Sequence, residues 1–220
     1  MKSGNNFIGF SSFFFLLIFS LIISNSCTRG EPKIVYGFLN LVLYQGESGP
    51  VEHFSLFILC EDEDGIENLD HLFLYHDREQ LRWQIKSDEW QRYTFDGNEW
   101  IGTRSIAVFE GSLPHGVYRV VLVNKGGESA QRNFTYDGNV SFPFPALYIS
   151  NGEYTINSLW PVNRLVCYDS SGNYSTTVTL NSRTGKISEL RLPSSAVTAA
   201  LWAEDESNFC SAFTDVAPLY

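Results

Sequence analysis

The sequence predicts an all-β protein, in which two β-rich segments follow an export signal. Short stretches that are apolar, or that alternate apolar and polar residues, recur along the chain. Turns rich in Gly, Asn and Asp separate them, and the signals that start helices are nearly absent. Many short strands with such turns are typical of a β-sandwich or a barrel, in which strands pack in two layers.

The N-terminus has the parts of a secretory signal. Lys2 precedes an apolar run over residues 7–23, and a short polar stretch then leads to Cys27. A basic start, an apolar core of roughly 15 residues and a small-residue exit direct export, so we predict a signal peptide over residues 1–26. A retained transmembrane helix is the alternative, although an uninterrupted span usually needs about 20 apolar residues.

Cys27 stands where a bacterial lipobox places the cysteine that becomes the first mature residue and carries the acyl chains. The usual box has leucine or a similar residue three places earlier. Here that position is Ser24, with Ile23 one place further back, and such a relaxed box resembles those of spirochaetes. We therefore predict lipid attachment at Cys27, with residues 27–33 as a tether. A disulfide cysteine just past an ordinary cleavage site is the alternative.

The charge of the chain limits its partners. With 15 Lys and Arg against 25 Asp and Glu, the formal net charge is −10. Nucleic acid is excluded as a predicted partner, because binding its phosphates requires clustered Lys and Arg. An acidic surface also opposes adhesion to anionic lipid, so we expect the N-terminal lipid to hold the protein at a membrane. Which membrane of the envelope this is stays open.

The first β-rich segment covers residues 34–138 and ends in a clear predicted hairpin. The strand over 117–123 is followed by a turn, and residues 130–136 return. Tyr118 stands at the start of this hairpin, after a Pro/Gly turn, as in the tyrosine corner of immunoglobulin-like domains. An ordinary buried tyrosine is the alternative. We predict an immunoglobulin-like or fibronectin-like β-sandwich, with earlier strands over residues 35–43, 54–60, 72–75, 81–85 and 106–109.

Residues 139–220 form a predicted smaller C-terminal β domain. Pro143 and Pro145 mark the boundary, because proline interrupts sheet ladders. A single merged two-sheet domain is the alternative. Cys167 and Cys210 both lie in this segment and are a candidate disulfide in an oxidising compartment, with buried thiols as the alternative. Strands are predicted over residues 154–156, 164–168, 175–180, 187–192 and 198–202.

Two groups of residues are candidates for a site. Asp62 and Asp64 lie in an acidic run that ends in glycine, a weak candidate for Ca²⁺, although the EF-hand pattern is not met. A solvated turn is the alternative, and we predict no metal and no cofactor. Trp83, Trp90 and Trp100 are candidate contacts for a sugar or a protein, with core packing as the alternative. We expect Trp90 and Trp100 to be partly exposed, because acidic residues flank them.

No nucleophile signature such as G-x-S-x-G occurs in the chain. We therefore predict that the protein is not an enzyme, and a secreted hydrolase is the remote alternative.

The chain resembles treponeme-type spirochaetal lipoproteins of unknown function. Four features carry this resemblance: the lipobox at Cys27, the turn over residues 63–69, the segment 100–102 and the corner over 113–120. This resemblance implies an envelope location and offers no catalytic residues to transfer.

The function predicted from the sequence is a non-enzymatic binding or structural role at the cell envelope. The alternative is an adhesin that binds carbohydrate or host protein through exposed aromatic side chains.

Overall fold

The computed structural model describes residues 30–220, and residues 31–220 form one compact unit. The predicted signal peptide over residues 1–26, Cys27 and the start of the tether lie outside the described residues. Within the described part, the regular structure consists of β-strands and short 3₁₀ turns. The prediction of an all-β fold is confirmed.

The first eight strands form an immunoglobulin-like β-sandwich, which we call the N-terminal sandwich. One layer has the strand order β1-β2-β6-β5, and the other has the order β4-β3-β7-β8. These orders correspond to A-B-E-D packed against C′-C-F-G, as in immunoglobulin-like domains. The strands are β1 (Lys33–Gly46), β2 (Gly49–Glu61), β3 (Leu69–His76), β4 (Leu81–Lys86), β5 (Gln91–Phe95), β6 (Asn98–Ile106), β7 (Gly116–Asn124) and β8 (Ser129–Tyr136).

The remaining strands form a second, smaller sandwich, which we call the C-terminal sandwich. Strands in the order β13-β10-β9 pack against strands in the order β12-β11-β14-β15. The same topology is repeated with the D strand missing, so the segment that was predicted only as a smaller β domain is also an immunoglobulin-like sandwich. The strands are β9 (Ala146–Ser150), β10 (Glu153–Asn157), β11 (Val162–Tyr168), β12 (Tyr174–Thr179), β13 (Thr184–Lys186), β14 (Thr198–Asp205), β15 (Cys210–Phe213) and β16 (Ala217–Pro218).

One sheet runs through both sandwiches. The first strand, β1, pairs in parallel with β15, and Leu41 lies opposite Cys210. The result is a nine-stranded sheet with the order β12-β11-β14-β15-β1-β2-β6-β5, in which β16 also pairs with β14. Cys210 and Ala212 belong to the core of the N-terminal sandwich. The predicted boundary at residues 138 and 139 lies between β8 and β9, and a division into separate domains there stays a prediction.

The core of the N-terminal sandwich is organised around Tyr118, which is fully buried. The hydroxyl of Tyr118 donates a hydrogen bond of 2.6 Å to the carbonyl oxygen of Pro114. Its ring packs edge-on against Phe54, with ring centroids 5.0 Å apart, and the ring of Tyr136 covers the same Phe54 at 4.8 Å. The predicted tyrosine corner is therefore confirmed. The hydrogen bond from Tyr118 to Pro114 holds the turn before β7 against the core.

Two predicted strands are wrong. Residues 107–109 lie beyond β6, which ends at Ile106. Residues 187–190 form a 3₁₀ turn, and Arg191 closes it in the left-handed conformation with φ of 52°. A 3₁₀ turn places side chains three residues apart on one side, so Ile187 and Leu190 both reach the core of the C-terminal sandwich without a strand.

Candidate functional site: an aromatic sheet face

The outer face of the nine-stranded sheet carries a row of aromatic side chains. Successive side chains of a strand point to opposite faces. In β1, Leu39, Leu41 and Leu43 point into the core, so the residues between them point outward. The strand pairing carries this alternation across the sheet, since Phe38 lies opposite Phe57. We call this surface the aromatic face and define it by Tyr36, Phe38, Tyr44, Phe57, Tyr93, Trp100, Tyr168, Trp202 and Phe213.

Trp100 is the centre of one ring cluster on this face. The ring of Tyr93 on the neighbouring strand is parallel to it, with centroids 6.2 Å apart, and Phe38 lies at 5.7 Å. The ring of Tyr36 meets it edge-on at 5.9 Å. These neighbours leave Trp100 only 9% exposed, whereas Tyr36 at the rim is 56% exposed.

Glycine at position 102 allows the cluster to pack closely. Gly102 lies directly opposite Phe57 in the pairing of β2 with β6. A Cβ atom at this position would lie 2.0 Å from the carbonyl oxygen of Leu56 and 2.7 Å from the Cα of Phe57. Any side chain here would therefore push the two strands apart. The absence of a Cβ also leaves room for the Phe57 ring, which packs at 5.0 Å from Tyr93.

Arg104 supplies a positive charge to the aromatic face. Its side chain is exposed, and the central carbon of its guanidinium lies 5.8 Å from the centroid of Phe57. Cation–π geometry of this kind attracts the charge to the ring face. No carboxylate among residues 30–220 forms an ion pair with Arg104. Within the described part of the chain, Arg104 thus has no ion-pair partner.

The charge of Arg104 acts on three tyrosines from different strands. Burial raises the pKa values of Tyr44, Tyr93 and Tyr168, and the positive charge of Arg104 opposes the rise in each of them. They belong to β1, β5 and β11, which are far apart in the sheet order.

Arg164, a second arginine of this face, is neutralised. Arg164 forms a salt bridge with Glu204 and lies 3.5 Å from a carboxylate oxygen of Glu206. Its guanidinium also stacks at 4.9 Å over the ring of Trp202. Of these two arginines, Arg164 is paired with carboxylates, whereas Arg104 forms no ion pair with the described residues.

Two buried polar atoms on the aromatic face lack a hydrogen-bond partner. They are Oδ1 of Asn40 and Nε1 of Trp100. Leaving such an atom unpaired costs about 1–3 kcal/mol, so buried polar atoms of folded proteins usually have partners. Tight packing around the Trp100 ring thus takes precedence over hydrogen bonding on this face.

Of the three tryptophans predicted as ligand contacts, only Trp100 lies on the aromatic face. Nε1 of Trp83 donates 2.7 Å to the carbonyl oxygen of Ala107, and the ring packs toward the core. Nε1 of Trp90 donates 3.3 Å to the carbonyl oxygen of Ile85. The expectation that Trp90 and Trp100 are partly exposed is wrong, since each is 9% exposed. The charged neighbour Glu99 does not expose Trp100, because successive residues of β6 point to opposite faces of the sheet.

The carboxylate of Asp62 holds a turn together. The backbone amide of Asp64 and the side-chain amide of Asn68 donate to its Oδ1 at 2.9 and 3.0 Å. The side-chain amide of Asn124 donates to its Oδ2 at 3.3 Å. Within residues 30–220, no group of three or more His, Cys, Asp or Glu side chains is arranged for a metal ion. The geometry therefore matches the alternative for Asp62 and Asp64, a structural turn.

The candidate disulfide is wrong, because Cys167 and Cys210 are separate thiols. The two cysteines lie on β11 and β15, on either side of β14. Cys167 is paired with Ala199 of β14, and Cys210 is paired with Asp205 of β14. At about 3.3 Å per residue, these positions are roughly 20 Å apart along the strand, whereas a disulfide needs Cα atoms within about 7 Å. Burial raises the pKa of both thiols to about 11.

A shallow cleft of about 280 Å³ lies where the end of β8 meets the turn before β15. Its lining includes Tyr136, Asp137 and Asn208. Sites for small molecules usually have volumes of about 300–1,000 Å³, so this cleft is at the lower limit.

Among the described residues, no helix is long and apolar enough to span a membrane.

Comparisons with known proteins place the chain in no established family. No family model and no curated protein matches its sequence. Among solved structures, it is similar to Tp47, the 47-kilodalton lipoprotein of Treponema pallidum, with 12% identity and a TM-score of 0.45 over 88% of this chain. The chain spans about half of Tp47, since the match covers 52% of that protein.

Two further similarities are more distant. Latent PorU from Porphyromonas gingivalis has 12% identity and a TM-score of 0.34, over 89% of this chain and 20% of PorU. Murine CEACAM1b has 10% identity and a TM-score of 0.24, over 83% of this chain and 99% of that protein. The strand order and the tyrosine corner define the immunoglobulin-like fold of the chain.

Proposed function

We propose that this protein is a lipid-anchored, extracytoplasmic protein of the cell envelope, which binds a partner through the aromatic face and catalyses no reaction. The observation that carries the binding role is the aromatic face itself. The outer face of a sandwich is ordinarily polar, and exposed apolar patches commonly mark interaction sites. Here a sheet that crosses both sandwiches carries mostly half-buried aromatic rings, with Tyr36 56% exposed at the rim, and an exposed Arg104 without an ion pair among the described residues.

A non-catalytic role is supported by the state of the thiols and of the most buried histidine. Burial raises the pKa of Cys60 to about 12, so this thiol stays protonated at neutral pH and is a poor nucleophile. The Nε2 of His76 lies 3.1 Å from the backbone carbonyl oxygen of His115, and its ring packs on Tyr118 at 4.7 Å. His76 therefore serves the tyrosine corner.

The anchoring part of the proposal is tested at Cys27. We expect the wild-type chain to incorporate radioactive palmitate and to sediment with membranes, because several acyl chains bind a bilayer durably. A Cys27→Ala variant should lose both the label and the membrane association. Cys60→Ala is the matched control, since it also removes one cysteine, and it should keep both properties. Equal labelling of wild type and Cys27→Ala would refute the anchor.

A further inference from the structure

We infer that the edge strand β12 pairs in antiparallel fashion with β12 of a second copy of this chain, so that two nine-stranded sheets join into one. The inference goes beyond the proposed function, because it concerns self-assembly and leaves the partner of the aromatic face open. β12 is the end strand of the sheet on its C-terminal side. Its six residues include three threonines and a valine and contain no charge, proline or glycine. Edge strands of this composition are open to strand addition.

Half of the backbone groups of β12 point away from the sheet. The amide of Leu180, just past the strand, donates 2.9 Å to the carbonyl oxygen of Asn163 on β11. Bonded and non-bonded residue pairs alternate along antiparallel strands, so the N–H and C=O groups of Thr177 and Thr179 point outward. Among residues 30–220, no backbone hydrogen bond joins β12 to a strand other than β11. These outward groups are therefore available to another strand.

The other long edges of the two sandwiches are protected. On β5, Arg92 forms an ion pair of 2.6 Å with Glu67. Arg82 and Lys86 place two positive charges on β4. On β8, Arg132 donates hydrogen bonds to two backbone carbonyl oxygens of β1. β9 lies against β16, and β13 has only three residues. Charge and coverage of this kind keep sheet edges from pairing, so β12 is the edge that remains open in the described part of the chain.

The charges at the two ends of β12 favour a second copy as the occupant. A chain with a formal net charge of −10 repels its own copies, so a self-contact needs an uncharged or complementary surface. Asp169 lies in the turn before β12, and Arg183 follows the strand, exposed and without an ion pair among the described residues. Antiparallel pairing brings the Asp169 end of each copy toward the Arg183 end of the other. Two-fold symmetry makes this contact twice.

The outward groups fix the geometry of the pair. A two-fold axis at Thr177 pairs this residue with itself and pairs Ser175 with Thr179. The axis is perpendicular to the sheet, so the aromatic faces of both copies point the same way and form one surface. Tyr174, which is 65% exposed and paired with Tyr168, lies where the two faces meet. One strand pair is a small interface and therefore a weak one. Anchoring both copies to one membrane would raise their effective concentration.

The first test is analytical ultracentrifugation of the detergent-solubilised full-length protein. We expect a monomer–dimer equilibrium with a Kd on the order of 10 µM, as suits a small interface. Thr177→Lys should raise this Kd at least about tenfold, because it places two like charges at the axis. Thr177→Val keeps the branched shape and should dimerise like wild type. Thr94→Lys is the matched control, since Thr94 is an exposed threonine of β5 at the opposite edge of the same sheet; its Kd should not change.

The second test is disulfide cross-linking. The Cα atoms of a hydrogen-bonded antiparallel pair are about 5.5 Å apart, which is within the range of a disulfide. Thr177→Cys should therefore give a covalent dimer on mild oxidation. Thr94→Cys and the wild-type chain should give none, because only the axis at Thr177 brings the same residue of two copies together.

Three results would overturn the inference. One is a wild-type chain that stays monomeric at concentrations about tenfold above the expected Kd, which is also the result if a strand of a different protein occupies the edge. The others are an equal Kd for wild type and Thr177→Lys, and equal cross-linking of Thr177→Cys and Thr94→Cys. Both measurements are made in detergent, so they do not depend on the anchor at Cys27, and either proposal can fail alone.

Discussion

Removal of the Tyr118 hydroxyl tests whether the tyrosine corner stabilises the fold. In Tyr118→Phe the ring and its contact with Phe54 remain, and only the 2.6 Å hydrogen bond to the carbonyl of Pro114 is lost. A neutral hydrogen bond contributes about 0.5–1.5 kcal/mol net, and an acceptor left unpaired adds to the loss. Pro114 is only half-buried, so water partly replaces the hydroxyl. We expect a loss of about 1 kcal/mol in the free energy of unfolding.

Urea denaturation followed by tryptophan fluorescence measures this loss, and the melting temperature should fall by about 2–4 °C for a chain of this size. Tyr136→Phe is the matched control. Tyr136 packs against the same Phe54 ring and is as buried in the core, but its hydroxyl forms no hydrogen bond within the described residues. It should change stability by less than about 0.5 kcal/mol. If both variants lose the same stability, the loss comes from ring packing, and the role assigned to the hydroxyl is wrong.

Two further predictions concern Gly102 and the thiols. Gly102→Ala should destabilise the protein by about 3 kcal/mol, because the new Cβ overlaps the backbone at Leu56 and Phe57; a loss below about 1 kcal/mol in urea denaturation would contradict the close approach. The pKa of Cys60 is raised by burial from 9.0 to about 12, so its contribution to stability is fully present below pH 9 and is lost progressively as the pH rises toward about 12. Denaturation across this range should show a shallower decline for Cys60→Ala, and an unchanged slope would refute the shift.

Much of the fold could be predicted from local patterns. The strand over 117–123, its turn and the return over 130–136 match β7 and β8, because alternation and turn residues act over short distances. The hairpin of β5 and β6 was not predicted, although Asp96 and Gly97 turn it with φ of 50° and 73°. An Asp-Gly pair between strands was the available signal, and the charged and aromatic residues around it obscured the alternation.

The candidate site was only partly predictable. Trp100 and the aromatic stretch around it could be named from the sequence. Trp83 and Trp90 could not be distinguished from Trp100, because the sequence does not show which face of a sheet each tryptophan occupies. Arg104, Tyr44 and Tyr168 were missed altogether. Each of these residues is at least 60 positions from the next one in the chain. No local pattern connects the strands that carry them, β1, β6 and β11.

The sequence by itself determined the strand-rich composition, the acidic charge and the tyrosine corner, and it predicts an export signal, because each depends on composition or on residues that are close in the chain. Only the tertiary structure decided that Cys167 and Cys210 stay apart and that β1 pairs with β15. It also decided that Arg104 lies over the ring of Phe57 and that strands of both halves share one outer face. Long-range pairing sets the register of each strand, and register fixes which side chains share a face.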